Sequence, residues 1–268
     1  MSPDLEFALA LADLADSLSL PRFGAEDLHV ETKPDLTPVT DADRTVERAL
    51  RERIAAERPA DAVVGEEEGA DEGPRAAAAS SRVRWVLDPI DGTRNFARGM
   101  PVWATLIALD RNGELACGVA SAPALGKRWW AARGEGAWRD GHRLRVSGVA
   151  KLADASVSCS HGGDLARLEP AVWHARGFGE FWQSVLVAEG SLDVAVDARL
   201  ALWDYAALVP LVEEAGGRVT ALDGGPPRPH EQVVSSNGLV HEETLALLDG
   251  TRPASLSDYS STDRTEAS

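Results

Sequence analysis

The chain has 268 residues, 44% apolar and 26% charged, enough to bury a sizeable core in one large domain or in two intimate halves. Its 43 acidic residues outnumber 27 basic ones, and the net charge of -16 opposes nonspecific nucleic-acid binding, which rests on neutralising phosphates with Lys and Arg. Two cysteines, Cys117 and Cys159, are too few for a disulfide framework and fit a reducing cytoplasm, while no apolar run is long enough for a membrane span and no signal segment precedes Asp4 and Glu6.

Residues 4–19 place Leu5, Ala8, Leu9, Leu11, Ala12, Ala15 and Leu18 at helical spacing, with Pro21 and Gly24 as stops, and predict an amphipathic helix. The prolines between Val30 and Asp41 exclude regular helix there. Thr40 reads as the N-cap of a second helix through Ala56, with Val46, Ala49, Leu50 and Ile54 on its inner face. Ala62-Val63-Val64 is a short buried strand that runs straight into Gly65-Glu66-Glu67-Glu68-Gly69. Such a run is either a solvated acidic loop or one in which an acid turns inward. Residues 70–81, rich in Ala, Ser, Gly and Glu, read as a mobile connection.

Trp85 to Leu87 reads as the end of a buried strand. It meets Asp88-Pro89-Ile90-Asp91-Gly92-Thr93, where Pro89 and Gly92 bar a continued strand or helix and set both acids on a tight turn. That turn can aim two carboxylates, and the carbonyl between them, at one hard divalent cation. An Asp-Pro turn with a helix-capping Asp is the plainer alternative. Strands at Val102–Leu109 and Leu115–Ala122, joined at Asn112-Gly113, precede Lys127–Ala132 and Gly136–Trp138, giving a largely antiparallel sheet. Beyond it come a strand at Ala155–Cys159, a helix at Phe181–Glu189, and a strand at Leu192–Val196. A helix opened by Trp203 runs through Ala215 to Gly216-Gly217, followed by strands Arg218–Leu222 and Gln232–Ser235 and a helix His241–Leu248. Residues 1–250 thus read as one unit with halves at about 1–150 and 151–250, and 251–268 as a disordered tail.

Asp41, the Glu66–Glu68 run, the Asp88/Asp91 turn and Asp204 all stand where an apolar element meets a loop. Asp41 and Asp204 open helices, where capping alone would account for each. Converging carboxylates repel one another without cations between them, and two divalent ions both relieve this and clamp a phosphoryl oxygen. Thr93, at a helix start, adds free backbone N–H groups for a phosphate. The histidines show no zinc spacing, and Gly-rich nucleotide loops and Gly-x-Ser-x-Gly elbows are absent from the sequence. Metal-assisted hydrolysis is the chemistry left.

Gly65-Glu66-Glu67, Asp88-Pro89-Ile90-Asp91-Gly92-Thr93 with Asn95-Phe96, and Trp203-Asp204-Tyr205-Ala206-Ala207 resemble, in order, the signatures of the inositol monophosphatase superfamily. These are lithium-sensitive, magnesium-dependent sugar-phosphate phosphatases. The resemblance implies an α+β or α/β fold of the layered α/β/α/β/α sandwich type, usually in a homodimer, with two or three Mg2+ ions per subunit. It assigns Glu66, Asp88, the Ile90 carbonyl and Asp91 to the metals, with Asp88 bridging two ions and Asp204 completing the second site. Glu67 would reach a further ion through water. Thr93, with Asp41 behind it, would join Glu66 in activating the attacking water; Lys33 and Thr40 lie in the matching upstream segment. Gly92 and Thr93 amides would hold the phosphate. The reaction implied is direct attack of metal-activated water on phosphorus, without a covalent enzyme intermediate.

Lys33–Asp43, Gly99–Leu109 and Arg176–Trp182 further resemble the histidinol-phosphate phosphatase branch, which acts in histidine biosynthesis. A small phosphorylated amino-alcohol carrying an imidazole needs acidic and aromatic partners. Glu180 and Asp197 are candidates for its ammonium or ring nitrogens, and Arg176 for the phosphate side or for orienting an acid. Glu66, Asp91, Gly92, Thr93 and Asp204 complete the expected substrate contacts. Core packing is the stronger explanation of Phe181 and Trp182. An inositol-1-phosphatase or broad sugar-phosphate phosphatase is the alternative within this chemistry; a non-catalytic metal-binding regulatory protein is the alternative outside it.

Overall fold

The computed structural model describes residues 1–70 and 83–250. The connection read at 70–81, beyond Ala70, and the tail read at 251–268 lie outside the described residues. In chain order the elements are α1 (Pro3–Ser19), β1 (Val30–Thr32), β2 (Pro38–Thr40), α2 (Asp41–Glu57), β3 (Ala62–Gly65), β4 (Gly69–Ala70), β5 (Val83–Asp91) and α3 (Thr93–Ala97). Then follow β6 (Ala104–Arg111), β7 (Glu114–Ala122), β8 (Lys127–Ala132), β9 (Gly136–Arg139) and β10 (His142–Arg143). The remainder comprises β11 (Ser156–Cys159), α4 (Gly162–Leu168), β12 (His174–Arg176), α5 (Glu180–Ala188) and β13 (Val194–Leu200). It ends with α6 (Leu202–Tyr205), α7 (Leu208–Glu214), β14 (Arg218–Ala221), β15 (Glu231–Ser236) and α8 (His241–Leu248).

Five layers result. Helices α1 and α2 cover one face of an eight-stranded sheet ordered β10-β9-β8-β7-β6-β5-β3-β4, and α7 covers its other face. Helix α5 packs on α7 and on a five-stranded sheet ordered β12-β11-β13-β15-β14, whose far face carries α4 and α8. Apolar stripes dictate this order: Leu5, Ala8, Leu11 and Ala15 of α1 meet Val46, Leu50 and Ile54 of α2 over Trp85, Leu87, Ile107 and Val119. On the inner side, Val86, Leu106, Trp129, Phe181, Val185, Leu211 and Val219 form a cluster that joins the two sheets through the middle helices.

Local chemistry sets the ends that matter. Thr40 caps α2 through a reciprocal box, accepting from the Ala42 and Asp43 amides while Asp43 Oδ2 accepts the Thr40 amide at 2.8 Å. Strand β5 does not stop at Leu87, as the proline suggests, but runs to Asp91 through a register shift against β6 between Asp88 and Asp91. In a regular strand, residues three apart face opposite sides; the bulge cancels that, and it absorbs the missing N–H of Pro89. The long helix expected from Trp203 is divided into α6 and α7 around Ala206-Ala207, where the chain presses on β7. A Cβ at Gly118 would lie 2.1 Å from the Ala207 carbonyl oxygen. Helix α4 and strand β12 had no clear sequence signal. Two glycines open α4, and His161 Nδ1 caps it by accepting the Gly163 amide at 3.2 Å.

His241 is fully buried at the start of α8, with Nε2 bonded to Thr220 Oγ1 at 2.8 Å and Nδ1 to Ser236 Oγ at 2.7 Å. Burial first, then nearby Arg218, pushes its pKa down to about 4. The neutral ring therefore contributes stability that is complete above the unfolded value of about 6.5 and is lost as pH falls toward 4. Urea unfolding of wild type should lose about 3 kcal/mol over that interval beyond what His241→Gln loses. Parallel pH profiles for the two proteins would contradict this.

Candidate active site

A cavity of about 660 Å³ opens where the end of β5, the start of α3, the first turn of α5, the end of β13 and α6 meet. Carboxylate oxygens of Asp88, Asp91 and Asp204 lie within 4.8 Å of one another there. Asp88 is buried, and its Oδ1 accepts the Ile90 amide at 3.0 Å. Asp91 Oδ2 accepts the Phe181 amide at 2.7 Å, and Asp204 Oδ2 accepts the Ala201 amide at 2.7 Å. These bonds use one oxygen of each side chain and fix its direction.

Burial drives all three carboxyls upward. For Asp88 the next cause is the charge of Glu66, followed by Asp91 and Asp204. For Asp91 it is Glu180, with the Phe181 amide opposing. Asp204 reaches about 7, the Ala201 amide opposing and Glu66, Asp197 and Glu180 adding to the rise. Like charges this close are stable as carboxylates only beside cations. An all-oxygen set of acids converging on one point fits Mg2+ or a similar hard ion. Residues Asp88, Asp91 and Asp204 would hold it, and the Ile90 backbone also lines the cavity.

Glu66 lines the cavity but stands outside that trio. Its Oε1 is held by Lys33 Nζ at 2.7 Å, and the same ammonium reaches Glu67 Oε1 at 2.9 Å. Burial alone would lower the pKa of Lys33, but the bonds to Glu66 and Glu67 outweigh it and raise it. The Gly65–Glu68 turn is fixed from behind by Glu47, which is fully buried on α2 and accepts the Glu67 and Glu68 amides at 2.8 and 3.0 Å.

Thr93 Oγ1 lies 3.1 Å from both Asp43 Oδ1 and the Ile90 carbonyl. The acid behind Thr93 is thus Asp43 and not Asp41, as expected from the sequence. Asp41 opens α2 pointing outward, where its Oδ2 accepts from Arg22 at 2.8 Å. Asp43, two residues on, is turned inward by the capping box and fully buried. Burial lifts its pKa to about 6 against the opposing bonds from Thr40 and Thr93.

Gly92, Glu180 and Asp197 line the cavity, and Arg176 does not. On the edge strand β12, the Arg176 guanidinium lies 5.3 Å from the Phe178 ring centroid, and its Nε donates to His174 Nε2 at 2.9 Å. These contacts hold it over a separate surface hollow with Trp173 and Trp182, so it is removed from the candidate substrate contacts. The sequence reading missed Arg94, Ser160, His161, Arg199 and His230, all of which line the cavity. They sit in loops and element ends with no periodic signal, and only the fold gathers them.

The family model for the "Inositol monophosphatase family" matches residues 1–252. The chain belongs to this family. It is 50% identical over 260 residues to the histidinol-phosphatase of Mycobacterium tuberculosis, covering 92% of this chain and 98% of that protein. It is 46% identical over 265 residues to the histidinol-phosphatase of Streptomyces coelicolor, covering 92% and 97%. Among solved structures, the Thermotoga maritima IMPase superposes with a TM-score of 0.84 at 32% identity, covering 93% of this chain and 98% of that one.

The crowded acids make a stability prediction. Asp88→Asn removes one repelling charge while its amide oxygen keeps the Ile90 bond, so the metal-free variant should melt above metal-free wild type by about 2–4 °C per kcal/mol relieved. Added Mg2+ should raise the melting temperature of wild type and leave the variant unmoved. Equal magnesium shifts in both proteins would contradict the assignment of Asp88.

Proposed function

We propose that this phosphatase hydrolyses L-histidinol phosphate to L-histidinol and phosphate, as a magnesium-dependent enzyme of histidine biosynthesis. One observation carries the substrate choice: Glu180 and Asp197 bring two acids onto the cavity wall beyond the Asp88, Asp91 and Asp204 trio. Burial raises both, Asp197 to about 6, so a cationic leaving group relieves a repulsion that a neutral polyol would not. The high identity to two histidinol-phosphatases supports the same choice.

Divalent ions would be held by Asp88, Asp91 and Asp204, with Glu66 beside them, and would supply Lewis acidity toward phosphoryl oxygens and acidify nearby water. The chain's own groups supply the rest. Gly92 takes φ 85°, which lets the backbone turn from β5 into α3, and Gly92 and Thr93 both line the cavity. Their amides hold the phosphate. Thr93 Oγ1 accepts a proton from the attacking water while passing its own to Asp43 Oδ1. Asp43 must be ionised to receive it. Leaving the trio and Glu66 to the cations, Asp43 sets the acid limb of the rate.

The same reading takes the chain as a cytoplasmic homodimer inhibited by lithium. The buried free thiols of Cys117 and Cys159 support a reducing compartment. Trp173 and Phe178, exposed beside Arg176, form a patch of the kind that association covers.

With magnesium saturating, kcat/KM on histidinol phosphate should exceed that on inositol 1-phosphate by about ten-fold or more. A clear preference for inositol 1-phosphate would replace this substrate with the other. Asp43→Asn should cut kcat by about 100-fold or more, since its amide accepts no proton. Rate against pH for wild type should fall as pH drops through about 6. A maximum well below that value would sink the role given to Asp43.

A further inference from the structure

Behind the cavity wall, the turn that precedes Glu180 and the side chain of Asp197 are joined by a buried chain of hydrogen bonds. The Phe178 amide donates to Ser158 Oγ at 2.9 Å, and Ser158 Oγ donates to Gln183 Oε1 at 2.6 Å. Gln183 Nε2 then donates to Asp197 Oδ1 at 2.5 Å and to the Val196 carbonyl at 3.3 Å. The Gly179 amide adds a second donor to Gln183 Oε1 at 3.3 Å. The orientation of the side-chain amide is fixed by its partners, because the Gly179 N–H only donates and the Val196 carbonyl only accepts. Ser158 and Gln183 are both fully buried, and neither lines the cavity.

One side chain thus ties the end of β13 to the turn that opens α5. Glu180, in that turn, holds φ 52°, a left-handed conformation costly for a residue with a side chain. Such a conformation persists where neighbours over-determine it. Here the turn is fixed at Phe178 by Ser158, at Gly179 by Gln183, and at Phe181 by Asp91. From the Phe178 amide through Ser158 and Gln183 each donor points along the chain toward Asp197, which favours the ionised acid.

We propose that Gln183 is a positioning residue for leaving-group recognition, holding Asp197 and Glu180 at the separation that receives a cationic amino-alcohol. This rests on the histidinol phosphate reading above. Methionine matches glutamine in length but neither donates nor accepts through an amide, so Gln183→Met frees Asp197 Oδ1 and the Gly179 turn without opening a large cavity. Ser158→Ala cuts the same chain one link earlier with a smaller change of volume.

The test measures KM and kcat for wild type, Gln183→Met and Ser158→Ala on histidinol phosphate and on inositol 1-phosphate, at saturating magnesium. The expected result for Gln183→Met is a rise of about ten-fold in KM for histidinol phosphate, with kcat within about two-fold and inositol 1-phosphate kinetics within about two-fold. Ser158→Ala should shift the same KM in the same direction by about three-fold, and it carries the test if Gln183→Met does not fold. A wild-type preference for histidinol phosphate that survives undiminished in the folded variants overturns the positioning role alone. So does an equal loss on both substrates. A wild type that prefers inositol 1-phosphate overturns the substrate reading, and this inference with it.

Discussion

The structure depends on holding Asp88, Asp91 and Asp204 together against their own repulsion. Their oxygens lie within 4.8 Å of one another, in a place where burial already disfavours charge. No single element could do this. Asp88 and Asp91 come from one strand and share a side only because β5 bulges between them. Asp204 comes from the other half of the chain, carried by α6 and fixed by the Ala201 amide. The joint apolar cluster of the two sheets and the middle helices is therefore what forces the acids into contact. Packing supplies the free energy that the site gives up, which is the usual relation between a core and a strained functional site.

Helix α2 serves this arrangement from the other side. Asp43 and Glu47 are one turn apart, on the same face and fully buried. Asp43 meets Thr93, while Glu47 meets the amides of Glu67 and Glu68 and the guanidinium of Arg51. Gly65 has no side chain because the Glu47 carboxylate occupies that space: a Cβ would stand 2.2 Å from Oε1. The glycine of the Gly65-Glu66-Glu67 motif is thus a packing requirement of a buried acid, which also fixes the amides of Glu67 and Glu68, while the Glu66 amide is held by the Leu87 carbonyl.

Much of this was legible because periodicity and punctuation report on local structure. The helices α1 and α2, the strands around Asn112-Gly113, and the gathering of Asp88, Asp91 and Asp204 could be read from the sequence, while Glu66 lines the same cavity outside that trio. The errors arose where one or two residues decide direction. Asp41 and Asp43 both lie in the first turn of α2, and only the box formed with Thr40 turns Asp43 inward. The spacing Thr40-x-x-Asp43 carried that signal, since a cap and the third helical residue are the pair that bond reciprocally. Arg176 and Glu180 fall within one short segment of the sequence. The irregular link Gly177–Gly179 separates the two, leaving Arg176 at the end of an edge strand with its guanidinium over the Phe178 ring.

The lining of the cavity is built in two different ways. The wall that gathers acids for cations uses the end of a central strand, where only Gly92 takes a positive φ. The lining contributed by the second half of the chain includes Glu180, Arg199 and His230, at φ 52°, 58° and 64°. Arg199 lies in the β13 bulge between Asp197 and Leu200, and the His230 amide returns to the Leu200 carbonyl at 2.6 Å. Residues with side chains pay a conformational cost in that region, and glycine would be the stable choice at each. That these three keep a charged or titratable group there indicates that side-chain placement, rather than backbone comfort, decides this wall. The strain in this cavity is therefore carried by residues that keep charged or titratable side chains on its lining.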